Sequence, residues 1–240
     1  MVLKKLTSSK QSKKQYYDFN KIYQKILNKN FTVKEARELQ RFISQNLNEV
    51  PLSNFKLVAG IDSSYYKNKI ITSIVFYDVS GKKIVYQNYL IDKVNFPYIP
   101  TLLFLREGPL HVRIIVETEL KADAYLIDGH GKAHPLRAGL ASFVGYFSKM
   151  PTIGVAKSKL FGSIEWSNNE GNIVAENEII GKVIKLCNRN LYISVGCNID
   201  LESSVNVFKA SIVGCECYPL TKAHELCTKI ANDIKEKSIK

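Results

Sequence analysis

The stretch Ile127-Asp128-Gly129-His130-Gly131-Lys132-Ala133-His134-Pro135 follows a short apolar run, Ala124 to Ile127, that has the form of a buried strand. A carboxylate at the C-terminal end of such a strand points into the crevice where open α/β sheets bind ligands. Glycines on either side let the backbone approach whatever sits there. Two further acids belong with Asp128. Asp62 closes the strand-like run Lys56-Leu57-Val58-Ala59-Gly60-Ile61-Asp62, and Glu107 lies in Leu105-Arg106-Glu107-Gly108-Pro109. If the first run is a parallel neighbour of Ala124 to Asp128, Asp62 and Asp128 emerge at the same edge. Converging carboxylates cannot all stay charged without a counter-cation, and a hard divalent ion such as Mg²⁺ is the natural one. Two such ions roughly 4 Å apart can clamp the attacking and leaving oxygens of a phosphodiester. The residues alone leave plainer roles open, with Asp62 a strand-end turn residue and Glu107 an ion-pair partner of Arg106.

Lys157 ends a second apolar run, Thr152 to Ala156, one crossover beyond Asp128. An ammonium there would support charge building on a phosphorus centre, although lysines at strand ends are commonly solvated tips. His134 would hold a phosphate or steer an attacking water. Its plain alternative is a histidine bonded to a loop carbonyl. Arg106, beside Glu107, is a candidate phosphate-binding cation. Pro97-Tyr98-Ile99-Pro100 carries an aromatic ring between two prolines that fix φ, a rigid tip able to enter a base stack.

The elements that must position these groups follow from periodicity. Thr32-Val33-Lys34-Glu35 has the form of a capping box, with Ala36, Leu39, Phe42, Ile43 and Leu47 at helical spacing behind it. Three β-rich segments, Leu57 to Asp62, Ile70 to Asp78 and Lys83 to Ile91, are separated by short polar turns and predict an antiparallel meander. A helical stretch from Thr101 to Leu120 leads into the strand at Ala124 to Asp128. A helix over Leu136 to Phe147 then crosses to the strand at Thr152 to Ala156, which implies parallel pairing. Short strands around Ile173, Val183 and Tyr192 and helices near Leu201 to Lys209 and Lys222 to Ile234 complete the chain. The expected fold class is α/β, one mixed sheet, antiparallel first and parallel later, with helices on both faces.

Composition narrows the partners. The 240 residues carry 34 Lys+Arg against 22 Asp+Glu, a formal net charge of +12, which favours a polyanion, nucleic acid ahead of a membrane surface. No apolar run approaches the roughly 18 residues a membrane helix needs. Met1 to Gln15 holds five lysines and no apolar core, so it is expected to be a basic arm rather than a secretory signal. Cys187, Cys197, Cys215, Cys217 and Cys227 match no zinc spacing and point to buried, reduced thiols in a cytoplasmic protein.

Four blocks in order, Gly60-Ile61-Asp62-Ser63-Ser64, Pro97 to Pro100 with Phe104 to Pro109, Asp128 to Pro135, and Pro151 to Lys157, resemble the endonuclease V family of deoxyinosine 3′ endonucleases. The resemblance runs from about Thr32 to Ile234, leaving residues 1–30 as a basic arm before a single catalytic domain at 31–240. It implies a ribonuclease H-like fold and a Mg²⁺-dependent enzyme, with Mn²⁺ able to substitute. The implied reaction is hydrolysis of the second phosphodiester bond 3′ to deoxyinosine in DNA, leaving 3′-hydroxyl and 5′-phosphate ends. Asp62, Glu107 and Asp128 match the family's metal carboxylates, Lys157 its active-site lysine and His134 the histidine after Asp-Gly-His-Gly. His224 would stand at a further metal position, within Pro219 to His224, where Leu220-Thr221 replaces the usual Thr-Arg. Pro97 to Pro100 would be a strand-separating wedge, followed by Thr101 where glycine is frequent. Gly129 and Gly154 would supply pocket backbone, with Leu103 and Leu140 as apolar walls. The partner implied is inosine-containing DNA, met by a monomer. The alternatives are an endoribonuclease acting on inosine in RNA and an inosine-binding module without catalysis.

Overall fold

The computed structural model describes residues 17–237, so the Met1 to Gln15 arm lies outside the described residues. Helix α1 (Phe19–Leu27) is capped by Asp18, whose carboxylate accepts the Lys21 N–H, and buries Ile22 and Ile26. Ile22 and Ile26 join the core cluster, so this amphipathic helix packs with the elements that follow it although it lies within residues 1–30. Helix α2 (Val33–Ser44) begins with the expected capping box. The Glu35 N–H donates to the Thr32 hydroxyl at 3.2 Å and the Thr32 N–H to the Glu35 carboxylate at 2.9 Å.

Strands β1 (Leu57–Tyr66), β2 (Lys69–Asp78) and β3 (Lys83–Lys93) form the antiparallel meander. The expected single helix after the meander is two, α3 (Leu103–Arg106) and α4 (Gly108–Glu117). Pro109 has no N–H to give a continuing helix, and the break leaves Glu107 at the junction. Strand β4 (Ala124–Asp128), helix α5 (Leu140–Ser148) and strand β5 (Thr152–Ala156) make the expected parallel crossover. Helix α5 starts later than Leu136 because Arg137 has φ 55° and Gly139 is pressed against the His130 carbonyl.

Strands β6 (Ser163–Ser167), β7 (Glu170–Ala175), β8 (Glu178–Leu186) and β9 (Arg189–Cys197) extend the sheet as an antiparallel meander. Helix α6 (Leu201–Ala210), a small hairpin of β10 (Ile212–Val213) and β11 (Glu216–Cys217), and helix α7 (Tyr218–Lys237) follow. The sheet order is β3-β2-β1-β4-β5-β9-β8-β7-β6, with β1, β4 and β5 parallel at its centre. This is the mixed, ribonuclease H-like sheet.

Period-2 alternation assigns each face. Ala59, Ile61, Tyr125 and Ile127 pack under α1 to α5, whereas Val58, Ala124, Leu126, Ile153 and Val155 pack under α6 and the start of α7. Among the described residues no helix is long and apolar enough to cross a membrane.

The expectation of reduced thiols fails at one pair. Cys187, in the β8–β9 turn, and Cys215, in the β10–β11 turn, form a disulfide. Their sequence separation of 28 gave no spacing signal, and only the tertiary fold brings the two turns together. Cys197, Cys217 and Cys227 are free and buried.

Helix α7 approaches β1 closely enough that Gly60 is obligatory. A Cβ there would lie 2.4 Å from the Pro219 carbonyl carbon and oxygen and 2.6 Å from the Leu220 nitrogen. Backbone must therefore move to admit a methyl group. Gly60→Ala should destabilise the protein by about 1–3 kcal/mol in urea unfolding, the usual cost of overpacking. It should also displace the start of α7. Unchanged stability would show that the helix docks more loosely than this.

Candidate active site

Chain parity brings the acids together. Ile61 pairs with Ile127 in the parallel β1–β4 ladder, so Asp62 and Asp128 follow as neighbours. Both share the face of Val58 and Leu126, the side on which α7 lies. Lys157 follows β5 with the parity of Ile153 and Val155, and its Nζ donates to Asp128 Oδ2 at 2.5 Å. The fourth group, His224, projects from α7 with Nδ1 2.7 Å from Asp62 Oδ2. Asp62 Oδ1 accepts the Ser63 N–H at 2.7 Å. Glu107 arrives from the opposite helical layer at the α3–α4 break and accepts the Tyr65 hydroxyl at 2.6 Å. Among the described residues no ion pair joins it to Arg106, which acts on it only as a nearby charge.

The electrostatics show an excess of buried negative charge. Burial raises the pKa of Asp62, Asp128 raises it further, and His224 pulls it back. Burial pushes Glu107 up to about 8; the Tyr65 hydrogen bond opposes this, while Asp62 and Asp128 add to it. Burial works against the Lys157 ammonium, but Asp128 and then Asp62 more than offset it and raise its pKa. Lys157 beside Asp128 and the nearby Arg106 still leave Asp62 and Glu107 with raised pKa values, and a divalent cation held by oxygen donors fits the deficit. Asp62, Asp128 and Glu107 supply the carboxylates and His224 an imidazole. Cys227 sits close to Asp62 and His224. Burial holds its thiol up at about 11, and Sγ donates to the His224 carbonyl at 3.3 Å, so it packs as a thiol rather than serving as a soft ligand.

Beside this cluster is a cavity of about 310 Å³ whose walls include Leu103, Phe104, Gly129, Leu140, Asp128 and Lys157. Gly129 has φ 155°, and a Cβ there would stand 3.2 Å from Leu140, so glycine keeps the wall thin. Its N–H is engaged by the Val155 carbonyl at 3.0 Å. Gly154 does not line the cavity. It lies beneath the loop, where a Cβ would meet the Gly131 nitrogen at 2.4 Å and the Gly129 oxygen at 2.7 Å. Tyr98 stands at the mouth, 67% exposed, between exposed Pro97 and Pro100, with Ile99 partly buried.

Two expected roles change. His134 is 2% exposed, and its ring is committed: the Leu136 N–H donates to Nδ1 at 3.1 Å, and Nε2 lies 3.0 Å from the Thr101 carbonyl. Gln40 Nε2 donates to the same carbonyl at 3.1 Å and to that of Ala138 at 2.8 Å. His134 thus braces the residue after the wedge and has no nitrogen left for phosphate or water. Arg106 likewise donates to the Phe96 carbonyl at 3.2 Å and lies 4.5 Å over the Tyr65 ring, bracing the wedge and the Glu107 partner instead of reaching for phosphate.

Residues outside the sequence expectations complete the site. Tyr65 orients Glu107. His111, fully buried and pushed down to about 3 by that burial, lies 2.8 Å from Ser63 Oγ and 4.0 Å from Glu107. Tyr65 was readable as three residues beyond Asp62 on one strand, but its Glu107 partner was not. His130 lines the cavity, and its buried Nδ1 has no hydrogen-bond partner among the described residues.

Residues 37–225 match the family model described as Endonuclease V. The chain is 35% identical over 210 residues to an Endonuclease V of Sulfolobus acidocaldarius, covering 86% of this chain and 98% of that protein. The crystal structure of an Endonuclease V from Streptomyces avermitilis superposes with a TM-score of 0.79 at 25% identity, covering 85% and 95% of the two chains. An endonuclease V of Ciona intestinalis, determined in complex with a 24mer DNA containing an inosine followed by a ribo-adenosine, shares the fold. Its TM-score is 0.75 at 24% identity, over 84% of this chain and 98% of that one.

The bracing role of His134 has a pH signature. Burial lowers its pKa from 6.5 to about 4. The unfolded chain takes up this proton as pH falls through about 6.5, whereas the folded ring resists until about 4. Its contribution is therefore full above about pH 6.5 and is lost between there and about pH 4. The stability advantage of wild type over His134→Asn in urea unfolding should shrink by roughly 3 kcal/mol across that window. A difference that did not vary with pH would refute a buried neutral ring.

Proposed function

This chain belongs to the endonuclease V family of DNA-cleaving nucleases, and we propose that it is a Mg²⁺-dependent endonuclease specific for deoxyinosine in DNA. The bond hydrolysed is the second phosphodiester 3′ to the lesion, giving 3′-hydroxyl and 5′-phosphate ends. The observation that carries this reading is the shared wall: Asp128 and Lys157 belong both to the carboxylate cluster and to the 310 Å³ cavity. A base seated in that cavity lies next to the groups that cut its strand. The inosine-containing DNA bound by the Ciona protein supports the same substrate class.

Asp62, Asp128, Glu107 and His224 would hold the metal, with Mn²⁺ tolerated because an imidazole joins the oxygen donors. When bound, the cation supplies charge for a nucleophilic water and for the phosphoryl oxygens. Lys157 carries a fixed positive charge beside Asp128 and stabilises the negative charge that builds as the bond breaks. Tyr65 holds Glu107 in place through its hydroxyl. Leu103 and Leu140 bracket a flat base, and the missing side chain of Gly129 lets its edge come close. Hypoxanthine presents an acceptor at O6 and a donor at N1, the reverse of adenine, so a wall of fixed polar groups can separate the two strongly. The lesion must leave the stack, at roughly a few kcal/mol. Tyr98, clamped by Pro97 and Pro100, fills the gap that remains.

Purified protein is to be incubated with labelled inosine DNA, inosine RNA and unmodified controls, in Mg²⁺ and in EDTA. Cleavage of inosine DNA in Mg²⁺ alone is expected. Asp62→Asn or Asp128→Asn should lower the rate by at least about two orders of magnitude while leaving the fold and inosine binding. Tyr98→Ala should weaken binding to duplex inosine DNA more than to single strands. Cleavage in EDTA, or near wild-type rates in either Asn variant, would refute the metal site; preferred cutting of RNA would move the reading to an endoribonuclease.

A further inference from the structure

A second cavity of about 610 Å³ opens on the other side of the same Asp128–Lys157 pair, bounded also by His224. Its outer wall is built from Arg189, Asn190 and Tyr192 at the start of β9, and from Cys215, Glu216 and Thr221 around the β10–β11 hairpin and α7. The Cys187–Cys215 disulfide ties these two turns together, so the wall is covalently braced. Arg189 is exposed, has no ion-pair partner among the described residues, and is near enough to the Lys157 ammonium to repel its charge.

On the reading proposed above, the lesion base occupies the smaller cavity and the broken bond lies two linkages downstream. The strand must then pass from that cavity across Asp128 and Lys157 and continue beyond them. We infer that the larger cavity receives the nucleotide on the 3′ side of the scissile bond, and that Arg189 binds the next phosphate. The chemistry suits a nucleotide: Leu191 and Tyr192 offer apolar surface for sugar and base, Asn190 offers polar groups, and Arg189 can take a phosphate through two N–H donors. Glu216 shares the outer rim, where Arg189 is the cation, beyond Lys157 at the cluster itself.

The test crosses one protein change with one substrate change. Single-stranded inosine DNA carries a neutral methylphosphonate either at the first phosphate 3′ of the scissile one or, as a control, at a phosphate 5′ to the lesion. Wild type should lose about tenfold in kcat/KM on the 3′-modified strand, the scale of one charge-assisted hydrogen bond. Arg189→Ala should lose a similar factor on unmodified DNA and show little further loss from the 3′ modification. It should keep its full sensitivity to the 5′ control. Arg189→Lys should recover part of the activity.

Losses from Arg189→Ala and the 3′ methylphosphonate that simply multiply, or no loss from either, would overturn the assignment. Wild-type cleavage of unmodified inosine DNA over its adenine counterpart is measured in the same series. If that preference is absent, the proposed function itself fails. If it is present without coupling between Arg189 and the 3′ phosphate, only this inference fails.

Discussion

Mutual repulsion among acids removed from water is the constraint around which this molecule is arranged. Asp62 and Glu107 are nearly buried, and each has its pKa raised first by burial and then by neighbouring carboxylates. A fold under no other demand would separate them or protonate them. Here separate elements hold them together from both sides of the sheet. Strands β1 and β4 fix Asp62 beside Asp128 through a ladder ending at Ile61 and Ile127. Helix α7 contributes His224, strand β5 leads to Lys157, and the α3–α4 break delivers Glu107. The partial compensation by Lys157 and His224 keeps the cluster tolerable, and the remaining deficit is what a divalent cation would neutralise under the proposed function.

Holding these elements at such range requires backbone against backbone. Gly131 has its ideal Cβ position 2.0 Å from the Val195 carbonyl oxygen, so any side chain would expel the loop from β9. The loop is stitched there by Gly131 N–H to Ser194 Oγ at 2.9 Å and Lys132 N–H to the Val195 carbonyl at 2.7 Å. Gly154 and Gly139 allow similar crossings beneath it. A glycine in these places is a packing residue, and rigid placement of Asp128 and the cavity wall follows from it.

Much of this was legible because it depends on local pattern. The capping box at Thr32, the apolar runs that became β4 and β5, and the turn residues between β1, β2 and β3 each signal their element over a few residues. Parity along β1 and β4 was also sufficient to set Asp62 beside Asp128 once the strands were taken as parallel neighbours. What escaped depends on residues far apart. The ring of His134 could not be assigned without knowing that the Thr101 carbonyl would lie against Nε2. Arg106 looked available for phosphate until the Phe96 carbonyl and the Tyr65 ring came into place around it. Cys187 and Cys215 had no motif to announce their bond. Strand β6 alternates over only five residues and is mostly exposed, so its signal was short.

The sheet beyond β5 explains how the cluster at one edge of the parallel β1–β4–β5 ladders comes to lie in a groove. Alone, these strands would present Asp62, Asp128 and Lys157 on an open edge. Strand β9 changes that twice: its middle supports the Gly131 loop that walls the smaller cavity, and its start carries Arg189 and Tyr192 into the wall of the larger one. The β10–β11 hairpin, fastened by the disulfide to the turn before β9, closes the opposite side. The acids are thus flanked by two concave surfaces of different character, one narrow with leucine walls and one wider with a cationic rim. Under the proposed function, a nucleic-acid strand filling both surfaces would lie across the cluster, and the offset between the base read and the bond broken would then be set by the protein rather than by the lesion.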